Sequence, residues 1–283
     1  MSDASPTTDA APHVHRHHWY YVWFPLVAAF AWFATLWALS ITWLASGRPH
    51  YVSQDGTIAY ISDVGADILK PLFVTGCCFT GIGFVLSLAA ERWLRHSGRL
   101  APTMRKRERV FSVLAILGSA IGGAGLILLS IFDTKRRTTL HRVFLLVFIV
   151  GVALSAIFTI VEFRWLSKHL PYLQKLKASY IIKAIIAGTL IVLAIAFGIT
   201  MYWSNDVGAI LEWTISFLYT FYLLTFFFDL RASRHVGKGE LLYLKVSVVG
   251  YVCSSSVCAR TPTKSRVVTS LWGIDMAAAH PSS

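Results

Sequence analysis

Six apolar runs, each close to the length of a membrane crossing, decide what this chain can fold into. They extend approximately from Tyr21 to Ala45, Ile68 to Ala90, Val110 to Phe132, Val143 to Phe163, Tyr180 to Trp203 and Ile210 to Leu230. A helix rising 1.5 Å per residue needs roughly 20 mostly apolar residues to cross about 30 Å of hydrocarbon. Hydrocarbon offers peptide groups no partner, so a crossing segment must be a helix or a strand of a closed barrel. The runs show none of the ten-residue alternation of barrel strands. The expected fold is therefore an all-α polytopic integral membrane protein, a six-transmembrane-helix bundle. Composition agrees: 14% of the 283 residues are charged and 55% are hydrophobic, where a soluble domain is about 25% charged.

The runs divide the chain into a cytosolic N-terminal arm (1–19), a membrane domain (20–232) and a cytosolic tail (233–283), the arm and most of the tail expected to be disordered. The arm, MSDASPTTDAAPHVHRHH, is polar and acidic-containing, unlike a signal peptide, so the first run is expected to stay as an anchor. Cations set the orientation. The arm, second loop, fourth loop and tail hold 19 Lys and Arg, against 5 in the first, third and fifth loops. Cytosolic segments keep the positive charge, which predicts both termini in the cytosol. The third loop, in SIFDTKRRTTLHRVF, opposes this locally with Lys135, Arg136, Arg137 and Arg142. The net charge of +12 is thus a topology signal before it is a nucleic-acid signal, and no nucleic-acid partner is expected. Lys183, inside the fifth run near its cytosolic end, is expected to snorkel to the headgroups.

Small residues mark close packing. GSAIGGAG places Gly118 and Gly122 on one helix face, as it does Ser119 and Gly123; such faces chiefly pack a bundle internally. Cys77 and Cys78 read as small packing residues, and Cys253 and Cys258 lack the second pair that a zinc site needs. His13, His15, His17 and His18 on an unstructured arm offer no fixed geometry, so no metal and no cofactor is expected.

Candidate chemistry gathers at the outer side. Antiparallel neighbours would bring Asp133, closing the third run, near His141, opening the fourth, and a carboxylate can orient an imidazole for general-base work. No serine lies in a G-x-S-x-G elbow to complete a hydrolase, so an enzyme is the weaker reading. The competing reading pairs Asp133 with nearby cations, caps the fourth helix with Thr138 or Thr139 and seats His141 at the interface. Asp67 and Lys70, three residues apart, suggest an ion pair at a helix end. Glu162 and Asp229 would be neutralised by Arg164 and Arg231. The ladder of charges through the midplane that a proton relay needs is absent, and transport is a minor alternative. The most suggestive surface is Arg105, Lys106, Arg107 and Arg109 beside the third run, since juxtamembrane cations gain about 1 kcal/mol each from anionic leaflets.

Four strings, YISDVGAD with KPLF, SIFDT followed by LHRVF, LSAIFTIVE, and EWTISFLYTFYLLTFFFDL, occur in an order and spacing that resembles the Frag/DRAM/Sfk family of multipass proteins. That family includes the N-terminal domain of CWH-type cell-wall proteins, and fungal members are the nearest likeness. The resemblance covers about residues 20 to 232. It implies a six-helix protein of plasma membrane, vacuole or lysosome, or other endomembranes, without a common catalytic activity. Family roles include autophagy modulation, phosphoinositide-kinase recruitment with membrane lipid organisation, and GPI-anchor lipid remodelling. Implied partners are membrane lipids with anionic headgroups and a lipid-kinase or autophagy protein. Residues falling on the family pattern are Asp63, Gly65, Lys70, Pro71, Asp133, His141, Glu162, Glu212, Trp213 and Asp229, carried over as positions without assigned chemistry.

Overall fold

The structure, a computed structural model, describes residues 20–96, 106–169 and 174–232. The arm with its histidines, Arg105, and the tail with Cys253 and Cys258 lie outside the described residues. A short 3-10 turn, Tyr20–Val22, leads into α1 (Trp23–Ala45), followed by α2 (Ile61–Gly65), α3 (Lys70–His96), α4 (Lys106–Ile131), α5 (Thr134–His169), α6 (Gln174–Trp203) and α7 (Asn205–Ala232). All except α2 are long and apolar enough to cross a membrane, giving six spans. No strand occurs among the described residues.

The six long helices form a ring in chain order: α1 packs on α3, α3 on α4, α4 on α5, α5 on α6, α6 on α7, and α7 closes on α1. Contacts between α3 and α7 fill the centre. There Phe84 meets Tyr219, Tyr222 and Phe226 edge-on, with ring centroids 5.9 to 6.2 Å apart. The interior matters because lipid tails are as apolar as leucine, so helices associate through packing and polar contacts more than through hydrophobic burial.

Glycines set the closest approaches. A Cβ added at Gly151 of α5 would sit 2.4 Å from the backbone nitrogen of Gly122, and one at Gly118 only 2.9 Å from that of Ser155. The Gly118/Gly122 face therefore holds α4 against α5. The Ser119/Gly123 side turns to α3, where a Cβ at Gly123 would lie 3.0 Å from the Gly81 carbonyl. Both faces are used inside the bundle. Cys77 is fully buried and, like Cys78, unbonded to another cysteine.

Two boundaries differ from the sequence expectation. The segment from Thr134 to Arg142 is helix and not loop, and the α4–α5 connection is only Phe132 and Asp133. Its backbone bends at Arg137 (φ −142°, ψ 57°). Hydropathy marks where a helix is apolar, not where it ends, and these cations ride on an extension of the α5 span. Likewise α7 begins at Asn205, leaving Ser204 alone between α6 and α7.

The first loop folds back onto the bundle. Gly47, at φ 75°, takes the left-handed turn that ends α1. The chain then returns so that Gln54, Ala59 and all of α2 are buried.

Candidate functional site

Polar side chains gather in two layers at opposite ends of the bundle. The first fastens loop one. Asp206, at the start of α7, accepts hydrogen bonds from the Thr57 N–H (2.6 Å), the Thr57 hydroxyl (2.8 Å) and the Ile58 N–H (2.9 Å). Two turns along, Glu212 accepts from the Ile61 N–H at 2.7 Å, and the Trp213 indole donates to the Ala59 carbonyl at 3.0 Å. Buried Asp63 accepts from the Ser53 hydroxyl (2.6 Å) and, at 3.2 Å, from the Tyr60 N–H that opens α2. Thr134 of α5 approaches both Ser53 and Asp63. Loop one is thus clasped from α5 and α7.

Asp133 and His141 lie at this end but do not pair. The Asp133 carboxylate binds Lys70 and accepts the Arg136 N–H at 2.8 Å, capping the start of α5. His141 is buried, and its Nδ1 faces two carbonyls at the end of α4, Leu129 (2.8 Å) and Phe132 (3.0 Å). Carbonyls only accept, so Nδ1 carries the proton and donates to both. The last carbonyls of a helix have no partner within it, and His141 supplies one. The two residues terminate helices where catalysis would need them joined, and the general-base arrangement is not formed. The Asp67–Lys70 expectation also changes: Lys70 pairs with Asp133, and Asp67 lies 3.7 Å from exposed Lys135. Cap placement shifts as well, to Asp133, while the Thr138 hydroxyl donates back to the Thr134 carbonyl.

Protonation differs across this end. Burial pushes the Asp63 carboxyl above its usual range, against the hydrogen bonds from Ser53, Tyr60 and Thr134. For Asp133 burial acts upward too, but the Lys70 ammonium and the Arg136 N–H outweigh it and hold the carboxyl below its usual range. Tyr60, desolvated and near Glu212 and Asp63, is pushed up to about 12.

The second layer lies near the opposite end, which carries the α3–α4 and α5–α6 connections and which we term the basic end. Arg95 of α3 reaches Glu91 on its own helix and Glu162 of α5, the latter at 2.5 Å, with all three side chains at most 5% exposed. Lys183 of α6 binds Asp229 of α7 at 2.5 Å, and it is 1% exposed. Phe163 joins the two systems: its ring lies 4.1 Å from the Arg95 guanidinium carbon and 5.1 Å from the Lys183 ammonium. That ammonium also sits 3.8 Å from the Phe226 ring. One buried ion layer therefore ties α3, α5, α6 and α7.

This layer corrects two sequence expectations. Lys183 does not snorkel; it turns inward to a carboxylate. Glu162 pairs with Arg95 and Asp229 with Lys183, where Arg164 and Arg231 were expected. Residues two apart on a helix do not face each other, so those nearest cations in sequence point elsewhere. The Glu91–Arg95 pair was the missed signal: opposite charges four apart at the end of an apolar run can share a face. Outside this layer Lys106, Arg107 and Arg109 are exposed at the start of α4. The Arg92 guanidinium donates to the Arg109 carbonyl at 3.0 Å, which draws α3 and α4 cations together. Among the described residues no group of three His, Cys, Asp or Glu is placed to hold a metal.

A six-span ring with one end closed by its first loop and the other braced by buried ion pairs defines a multipass helical membrane protein. Residues 20–233 match the model of the Frag1/DRAM/Sfk1/Cwh43P N-terminal domain, and the chain belongs to that family. It is 31% identical over 214 residues to Protein sfk1 of Schizosaccharomyces pombe, a match covering 76% of this chain and 65% of that protein. It is 29% identical over 174 residues to Protein SFK1 of Saccharomyces cerevisiae, covering 51% of this chain and 49% of that one. The chain thus spans between about half and two thirds of the length of these relatives. No solved structure matches it.

Proposed function

We propose that this protein is a non-catalytic membrane regulator or scaffold of the Sfk type that organises lipids, its basic end facing the cytosol and holding anionic headgroups. In this reading both termini are cytosolic, and the membrane is the plasma membrane or a vacuolar or other endomembrane. The observation that carries the proposal is the exposed cation cluster of Lys106, Arg107 and Arg109, joined to α3 by the bond from Arg92 to the Arg109 carbonyl. Each cation near an anionic leaflet gains about 1 kcal/mol. Headgroups collected there would give a phosphoinositide kinase or an autophagy protein a charged platform beside a rigid bundle.

The supporting argument is also one of division of labour. The Arg95–Glu91–Glu162 and Lys183–Asp229 ion pairs at this end are buried and paired within the bundle, whereas Lys106, Arg107 and Arg109 are exposed to the surroundings. The competing view, a GPI-anchor or lipid-remodelling enzyme built on Asp133 and His141, loses its main support because both side chains are engaged in helix ends. Transport finds equally little support, since the two polar layers are separated by an aromatic and aliphatic interior.

The test replaces Lys106, Arg107 and Arg109 by Gln in the full chain and measures recruitment of vesicles containing phosphatidylserine or phosphatidylinositol 4-phosphate to the purified protein. Binding is expected to fall by about 3 kcal/mol, roughly a hundredfold, and to depend less steeply on salt. Unchanged recruitment by a folded triple variant would refute the reading.

A further inference from the structure

The buried ion layer is out of charge balance. Glu91, Glu162 and Asp229 face Arg95 and Lys183, three carboxylates against two cations, with every one of these side chains at most 5% exposed. Hydrogen-bond donors inside the layer do not make up the difference. The Tyr222 hydroxyl is buried within electrostatic reach of Glu91 and Asp229 yet has no hydrogen-bond partner, and neither has the Arg95 Nε. A surplus charge taken out of water is costly unless it is paired. The layer therefore calls for one further cation or one proton.

Arg92 is the cation placed to supply that charge. It lies three residues before Arg95 on α3, a spacing that makes the two neighbours on the helix surface. Its side chain is partly buried, and its guanidinium donates to the Arg109 carbonyl at 3.0 Å, which holds it at the seam between α3 and α4. From there it is within electrostatic reach of Glu162 on the inner side and of Arg109 on the outer. Around them, Arg164 of α5 and Arg231 of α7 are exposed, as are Lys106, Arg107 and Arg109 of α4, and Lys183 of α6 is taken by Asp229. One guanidinium thus serves two claims: a carboxylate surplus within the bundle and the cationic surface outside it.

We propose that Arg92 couples the two, so that headgroup binding at the basic end is regulated by one proton taken up by the Glu91–Arg95–Glu162 cluster. With the surplus carboxylate ionised, its charge holds Arg92 inward and offsets the surface cations. With a proton on the cluster, Arg92 turns its charge to the anionic headgroup and affinity rises. Linkage makes the effect reciprocal, and a bound headgroup favours the proton. The inference rests on the headgroup reading of the basic end and adds to it a control by acidity on that side of the membrane.

The test uses the purified full chain and vesicles containing phosphatidylglycerol, whose phosphodiester charge is constant near neutrality. At about pH 8 Glu162→Gln, which leaves two carboxylates against two cations, is expected to recruit vesicles about fivefold more tightly than the wild type, and at about pH 6 equally. The chain's histidines titrate in the same interval but are common to both proteins, so the ratio between them isolates the cluster. In a background of Arg92→Gln the same substitution should change recruitment no further. If Glu162→Gln does not fold, Glu91→Gln makes the same change of charge. If neither folds, Arg92→Gln alone decides, because it should recruit more weakly than the wild type and lose part of the dependence on pH. Equal recruitment by wild type and Glu162→Gln at both pH values overturns the coupling and leaves the headgroup reading standing, as does an unaltered pH profile in Arg92→Gln. A wild-type chain that recruits no vesicles at either pH refutes the headgroup reading, and the coupling with it.

Discussion

Replacing Lys183 by Met should destabilise this bundle severely, while replacing Lys183 and Asp229 together by Met and Leu should leave it nearly as stable as it began. The two charges meet at 2.5 Å with side chains 1% and 4% exposed. At an effective dielectric of 20 their gross attraction is about 6 to 7 kcal/mol, and desolvation of the two ions cancels much of it. What remains large is the asymmetry between breaking and deleting the pair. Removing one partner strands the other charge and costs about 3 to 5 kcal/mol, whereas apolar replacement of both is neutral or favourable. Lys183→Met also loses the cation over Phe226 and Phe163, worth about 0.5 to 2 kcal/mol per contact, although methionine retains most of the volume. Asp229→Asn should cost a similar amount, because the buried ammonium would lose its anion. The assay is reversible unfolding in mixed micelles, followed by tryptophan fluorescence, for wild type, Lys183→Met, Asp229→Leu, the double of these two, and Asp229→Asn. A double-mutant coupling of about 3 kcal/mol or more is expected. If Asp229→Asn cost less than about 1 kcal/mol, the lysine would have escaped to the headgroups and the buried ion layer would be refuted.

Arg95→Leu should be as damaging, about 3 to 5 kcal/mol, since Glu91 and Glu162 would face each other without a cation; thermal aggregation should show Arg95→Lys rescuing only in part, a single ammonium lacking the two-sided fork. Gly151→Ala should separate α4 from α5 and cost about 1 to 3 kcal/mol, whereas Gly188→Ala, in open space, should be neutral or stabilising; a melt of both variants checks the contrast. Asp206→Ala removes three hydrogen bonds to Thr57 and Ile58, so limited proteolysis should cut residues 46–60 several times faster with the spans intact. The two carboxyls at this end should give opposite pH slopes. Asp133, with its lowered pKa, stabilises above the usual carboxylate range and loses that contribution as pH falls through its folded pKa; Asp63, with its raised pKa, contributes below that range and loses it as pH rises. Melting temperature against pH for Asp133→Asn and Asp63→Asn should flatten the respective limbs.

The spans were legible because a bilayer imposes a length and an apolarity that few other structures share. Helix ends were less so, as Thr134 to Arg142 illustrates: once a helix leaves hydrocarbon its residues turn polar, and hydropathy cannot separate a helical extension from a loop. Charge pairing is the least legible feature. Sequence neighbours suggest Asp67 for Lys70, Arg164 for Glu162 and Arg231 for Asp229, but the partners come from elsewhere in the bundle, 63, 67 and 46 residues away. A one-dimensional reading ranks partners by proximity along the chain, while a buried charge is neutralised by whatever the packed bundle brings within reach.

The same reasoning accounts for where the polar residues singled out in the sequence are placed. Asp63, Lys70, Asp133, His141 and Glu212 all contact the first loop or the helix ends that support it. Glu162 and Asp229 lie in the ion layer at the other end. Between the two layers the helices meet through glycine, alanine and aromatic faces, which fix distance but resist sliding weakly. Polar contacts at both ends supply the missing specificity, since a helix shifted by one turn would leave Lys183 or Glu212 opposite hydrocarbon. On this argument the charged positions select one register of the ring, in which Arg95 joins α3 to α5, Lys183 joins α6 to α7, and the Phe163 ring of α5 faces the Lys183 ammonium of α6.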